Sequence, residues 1–170
     1  MKNSVKIILS FVLVFMLAGC RGKNEAGLWK EGKELIKQKK YSEAAASFKS
    51  LLDKFPDGEH AADAMFELAK LYQGKVLKNI DEKESLKEAV NYYKKIFEKY
   101  PKAKVAPSAL FMAGFIEANE LGDLEAAKKT YNLYLENFPD GELADDAKIE
   151  LANLGKSPEE ILMEKLKNSK

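Results

Sequence analysis

From Leu28 onward, apolar residues recur at spacings of three and four, the period that places them on one side of an α-helix. The pattern repeats on a larger scale, because three segments align on a proline, at Pro56, Pro101 and Pro139. Twelve residues before each proline stands a small residue, Ala44, Ala89 or Ala127, and eight before it an aromatic, Phe48, Tyr93 or Tyr131. Four before it is Leu52, Phe97 or Leu135, and immediately before it Phe55, Tyr100 or Phe138. Steps of four keep these positions near one helix face, and the residue before proline disfavours helical dihedrals, so each helix stops there. The periodicity predicts helices at about 25–38, 42–54, 59–73, 84–99, 105–120, 123–137, 142–153 and 158–168, and no segment reads as a strand. The last opens Ser157-Pro158-Glu159-Glu160, with Ser as cap, Pro in the first turn and Glu160 placed to complete a capping box.

The other half of each unit also repeats. Thirteen residues after a proline comes Ala69, Gly114 or Ala152, and Gly32 plays the same part in the first unit. These small residues are expected to face the alanines of the following helix, so that two backbones approach closely. Each unit is then a helical hairpin that needs neighbours to cover its remaining apolar face. Leu28, Gly32, Leu35, Ala44, Phe48 and Pro56 stand where the tetratricopeptide repeat has its signature residues, although the large Trp of that pattern falls one position late, as Trp29. The chain resembles that repeat over about residues 28–153. The resemblance implies an all-α, right-handed superhelix of antiparallel hairpins, about three repeats plus C-terminal helices capping the open end. The prolines are 45 and 38 residues apart against a standard period of 34, and extra residues between Gln73 and Glu84 explain most of the 45.

The first twenty residues follow a different pattern. Lys2 and Lys6 precede an apolar run from Ile7 to Ala18, too short to span a bilayer and suited to a secretory signal. Leu17-Ala18-Gly19-Cys20 closes the run and resembles the lipobox of bacterial lipoprotein precursors. That resemblance implies cleavage after a signal peptide of residues 1–19 and diacylglycerol on the sulfur of Cys20, often with an N-acyl chain as well. An ordinary signal peptide ending in Cys, or an uncleaved anchor, is the alternative. Residues 20–27 read as a lipidated tether, 28–155 as the repeat domain and 156–170 as a short C-terminal helix and tail. Arg21 rather than Asp follows Cys20, which in enteric-type lipoproteins accompanies transport to the outer membrane.

Composition narrows the chemistry. The 170 residues carry 28 Lys+Arg and 27 Asp+Glu, and removing Lys2 and Lys6 leaves the mature chain near −1, with no general attraction to nucleic acid. One Cys and one His supply neither an internal disulfide nor a Cys/His zinc site, and His60, at a helix start, reads as a surface residue. Pro56-Asp57-Gly58-Glu59 and its echo Pro139-Asp140-Gly141-Glu142 read as turns with acids at helix starts rather than as a calcium loop. Asp145 and Asp146 read as a solvated face. No metal site, catalytic set or cofactor beyond the lipid is expected, and the chain does not read as an enzyme. The lysine runs at 37–40 and 75–78 read as solvated turns, with contact of the first run with a lipid surface as the alternative.

The candidate site is a protein-binding groove. In the repeats the chain resembles, first helices of successive hairpins line a concave face, which implies Trp29, Lys33, Phe66, Lys70, Phe111 and Phe115 as groove residues suited to a peptide segment. Packing between hairpins is the alternative role for each aromatic. Among lipoproteins the chain is similar to the BamD-type component of the β-barrel assembly machinery, although that family typically carries five repeats. It is similar in part to the Tol–Pal accessory proteins of the CpoB type. These resemblances imply a membrane-anchored scaffold facing the periplasm, most often at the outer membrane, with envelope proteins such as the β-barrel assembly machinery as partners. A lipoprotein capturing solutes or peptides for a transporter is the alternative from another class.

Overall fold

The computed structural model describes residues 23–168, so Cys20 and the expected signal segment lie outside the described residues. Within them the chain forms eight α-helices and no strand: α1 Glu25–Lys37, α2 Tyr41–Lys54, α3 Ala61–Gln73, α4 Glu82–Lys99, α5 Ala106–Asn119, α6 Leu124–Asn137, α7 Ala144–Asn153 and α8 Pro158–Asn168. This is the expected all-α, tetratricopeptide-like arrangement. α1 packs on α2, α3 on α4 and α5 on α6, while α2–α3, α4–α5 and α6–α7 contacts join one hairpin to the next.

Two kinds of connection alternate, and each has its own local cause. Asp81 and Asp123 cap α4 and α6 by accepting from the amides of Glu84 and Ala126, each at 3.0 Å. At the proline turns, helices α3, α5 and α7 start without a side-chain cap. There the chain makes two successive i to i+3 bonds, Gly58 to Phe55 and Ala61 to Gly58 in the first turn, with the same pair at 100–106 and 138–144. Those turns start α3 and α7 two residues later than the periodicity predicts. They also interlock. Tyr100 donates its hydroxyl to the Pro56 carbonyl at 2.5 Å, and Phe138 sets its ring edge-on to Phe97 at 5.8 Å.

Three apolar clusters follow one another along the array. The first centres on Phe48, Leu51 and Leu68, the second on Tyr93, Ile96 and Ala113, and the third on Leu110, Tyr131 and Tyr134. Each draws on more than one hairpin, so no hairpin buries its apolar surface alone. The close approach within a hairpin differs from the expectation in one respect. An added Cβ at Gly32 would overlap the ring of Phe48, and one at Gly114 would come within 2.9 Å of the ring of Tyr131. The small residue therefore seats the aromatic one helical turn beyond the expected alanine.

The C-terminal end departs further from expectation. α7 packs on α6 and buries Ala144 and Ala147. α8 forms its capping box as expected, with Glu160 and Ser157 bonding reciprocally at 3.2 and 2.7 Å. It does not cover the end of the array: Leu162 and Met163 are 58% and 57% exposed, and Ile149 on α7 is 54% exposed. Amphipathic patterning shows that a helix has an apolar face without showing that the fold supplies a partner for it.

The repeats also differ in one buried polar group. Tyr93 donates its hydroxyl to Gln73 at 3.0 Å, whereas the equivalent Tyr131 hydroxyl is buried without a partner, and Ala118 stands where the repeat register would place a Gln. Tyr93→Phe should therefore cost about 1 kcal/mol in urea unfolding while Tyr131→Phe is neutral or stabilising. Equal losses in the two variants would contradict this reading. Gly114→Ala should cost about 1–3 kcal/mol through overpacking against Tyr131, in spite of the better helix propensity of Ala.

Candidate binding surface

α1, α3 and α5 carry the six predicted groove residues. At the first hairpin, Trp29 leans on Phe48 with ring centroids 5.6 Å apart and stacks on His60 at 5.2 Å and 10°. His60 is thus half-buried rather than the surface residue expected, and its amide donates to the Glu25 carboxylate at 2.6 Å. Glu25 lies against Gly58, where an added Cβ would make its carboxyl group shift. Lys33 places its ammonium 5.4 Å from the centre of the Trp29 ring and pairs with Glu67 at 2.5 Å. Lys70 pairs with the same carboxylate at 3.2 Å. Trp29, Lys33 and Lys70 are therefore brought together by Glu67 and His60.

Phe66 and Phe111 turn to different partners. Phe66 sets its ring edge-on to Tyr93 at 5.3 Å, and Phe111 packs at 5.7 and 6.2 Å from Tyr131 and Tyr134. Both are half-buried, so each serves the core with one side and offers the other to solvent. Phe115, one turn beyond Phe111 on α5, is half-buried. Lys70 is exposed. The surface is a row of partly covered rings interrupted by a charge cluster, rather than a continuous apolar strip.

Sequence reasoning missed two carboxylates. Glu67 joins α3 to α1 through Lys33, but Lys33 follows Gly32 by one residue and Glu67 precedes Ala69 by two, so repeat register does not align them. Glu117 is buried on α5, accepting from Lys94 of α4 at 2.5 Å and Thr130 of α6 at 2.6 Å. An acid among apolar helix positions is the one signal that could have marked it. Burial pushes the Glu67 carboxyl up, yet the Lys33 hydrogen bond and the charge of Lys70 outweigh it and hold the group below its ordinary value of 4.5.

Asn24 caps α1 beside the proline-turn edge, as the Glu25–His60 bond fixes, so the expected tether leaves from that edge. The lysine run at 37–40 sits at the other end of this 13-residue helix, about 20 Å away. Among the described residues, no group of three or more His, Cys, Asp or Glu could hold a metal ion, and no helix is long and apolar enough to cross a membrane.

The family model YfiO, outer membrane lipoprotein, matches residues 21–157. No curated protein matches the chain.

The Glu67 cluster gives a pH prediction. Because the folded carboxyl ionises below its ordinary range, the contribution is complete at neutral pH and is lost as the pH falls below about 4.5. Glu67→Gln should lower unfolding stability by roughly 1 kcal/mol at pH 7, and the gap to the parent should close on acidification. A gap that is constant from pH 7 to pH 3 would show that the pairing contributes nothing.

Proposed function

The chain belongs to the outer membrane lipoprotein family YfiO, and from that premise we propose that it is a lipid-anchored scaffold in outer membrane protein assembly rather than an enzyme. In this reading residues 1–19 are removed and Cys20 carries diacylglycerol with an N-acyl chain, two or three acyl chains being enough for stable anchoring. The body faces the periplasm. The observation that carries the reading is that the matched region starts one residue after Cys20 and runs to residue 157, across the whole hairpin array. A lipobox cysteine and the family's own region thus abut without a gap. The half-buried rings of Trp29, Phe66, Phe111 and Phe115, with Lys33 and Lys70, form the face offered to a partner chain. Rigid aromatic side chains beside lysines suit a peptide segment that inserts apolar side chains while its polar groups meet the charges.

Two measurements test it. Mass spectrometry of the mature protein from isolated outer membranes should give an N-terminal peptide beginning at an acylated Cys20, and an unmodified cysteine or an intact signal segment there would rule out the anchor. Affinity purification from detergent-solubilised envelopes should recover β-barrel assembly components. Phe115→Ala combined with Lys70→Gln should reduce that recovery at least fivefold while circular dichroism at the assay temperature stays unchanged. Recovery of transporter subunits, or of Tol–Pal components, in their place would move the protein to one of those roles.

A further inference from the structure

The insertion that lengthens the second unit builds a site of its own. Between α3 and α4 the chain passes through Lys75 and Asn79 in left-handed conformation, with φ of 54° and 62°, a costly choice for residues with a Cβ. In return it folds Leu77 and Ile80 back toward α2. The result is a cleft of about 240 Å³ lined by Ser42, Ala45, Ala46, Lys49, Tyr72, Leu77, Lys78 and Ile80. It lies between α2 and the insertion, apart from the row of rings on α1, α3 and α5.

The polar groups of this cleft have one character. Ser42, Lys49, Lys78 and Tyr72 contribute two ammonium groups and two hydroxyls, and no carboxylate lines the cleft. Lys49 donates to the Tyr72 hydroxyl at 2.8 Å and lies over the Tyr72 ring, 5.4 Å from its centre. That hydrogen bond, with the nearby charge of Glu88 acting in the same direction against burial, raises the Lys49 ammonium above its ordinary range and keeps it charged. Neither Lys49 nor Lys78 forms an ion pair with a carboxylate among the described residues. Ser42 stands in the first turn of α2, a helix whose N-cap residue, Lys40, supplies no side-chain cap, so the positive end of its dipole adds to the two ammonium groups. Ala45, Ala46, Leu77 and Ile80 supply apolar walls.

We propose that this cleft binds an acidic segment of a partner protein, taking one Asp or Glu carboxylate between Lys49 and Lys78 and a neighbouring apolar side chain against Leu77 and Ile80. An anionic lipid headgroup has the same charge, but the position of the cleft favours a protein. It opens beside the first turns of α2 and on the α3–α4 connection, at the far end of the hairpins from the edge where the expected tether leaves. The site does not depend on the row of rings, and either surface can fail without the other.

The probe is the blocked pentapeptide acetyl-Ala-Leu-Glu-Leu-Ala-amide, titrated into the mature chain in detergent and followed by the amide shifts of Ala46 and Leu77. Its Gln-for-Glu counterpart serves as control. The Glu peptide should bind at least fivefold more tightly, and Lys49→Gln combined with Lys78→Gln should erase the difference while circular dichroism stays unchanged. Phe115→Ala, on the other face, should leave the preference intact, which separates this site from the reading of the preceding section. Equal response to the two peptides, including no response to either, would overturn the proposal. So would phosphatidylglycerol vesicles shifting the same amides while the Glu peptide does not, a result that would assign the cleft to lipid.

Discussion

The array depends on how closely the two helices of a hairpin can approach, and that distance is set by a ring seated over a residue with little or no side chain. Phe48 fills the space over Gly32 and Tyr131 the space over Gly114, each ring lying where a Cβ would have to be. Close packing at these points brings Ala44 and Ala127 to full burial and lets the neighbouring helix add its own apolar residues to the same cluster. Because the clusters cross hairpin borders, a loss at one seat weakens the next contact as well. The face formed by α1, α3 and α5 inherits its shape from this arrangement. Trp29 is held by Phe48, Phe66 by Tyr93, and Phe111 by Tyr131, so each half-buried ring rests on an aromatic of the seating position.

The alternation of connections gives the array two unlike edges. Along one, the proline turns interlock through Tyr100 and Phe138 and hold the Glu25 carboxylate against Gly58 and His60, beside the N-terminal end of α1 where the expected tether would join. Along the other run the aspartate caps, the insertion at 74–81 and most of the lysines that the two basic runs contribute. A protein held at its N-terminus by a lipid would then present the variable, basic edge away from the point of attachment. Its row of rings would stand between the two edges.

Much of this was legible in the sequence because its causes are local. Proline after an aromatic ends a helix, Asp or Ser begins one, and steps of four show which side is buried, so every observed helix falls within two residues of its predicted bounds. What was not legible depends on the stagger between helices. Glu67 meets Lys33 across 34 residues, and His60 finds the Trp29 ring only because the turn holds it there. The seating rings lie one turn from the alanines expected to meet Gly32 and Gly114, since spacing names the face but not which residue on it makes the contact. The failure of α8 to cover the array has the same origin: Leu162 and Met163 announce an apolar face, and nothing local says what lies opposite.

The central claim, a membrane-anchored array that offers its first-helix face to a partner of the assembly machinery, is tested most directly by photocrosslinking in living cells. A photoreactive residue at position 70 or 115 on that face would be compared with one at exposed position 46 on α2 and at exposed position 145 on α7. The account predicts adducts with a β-barrel assembly component from positions 70 and 115, whatever position 46 captures, and none with that component from position 145. Adducts with that component from position 145 alone, or no adduct from 70 and 115, would contradict it.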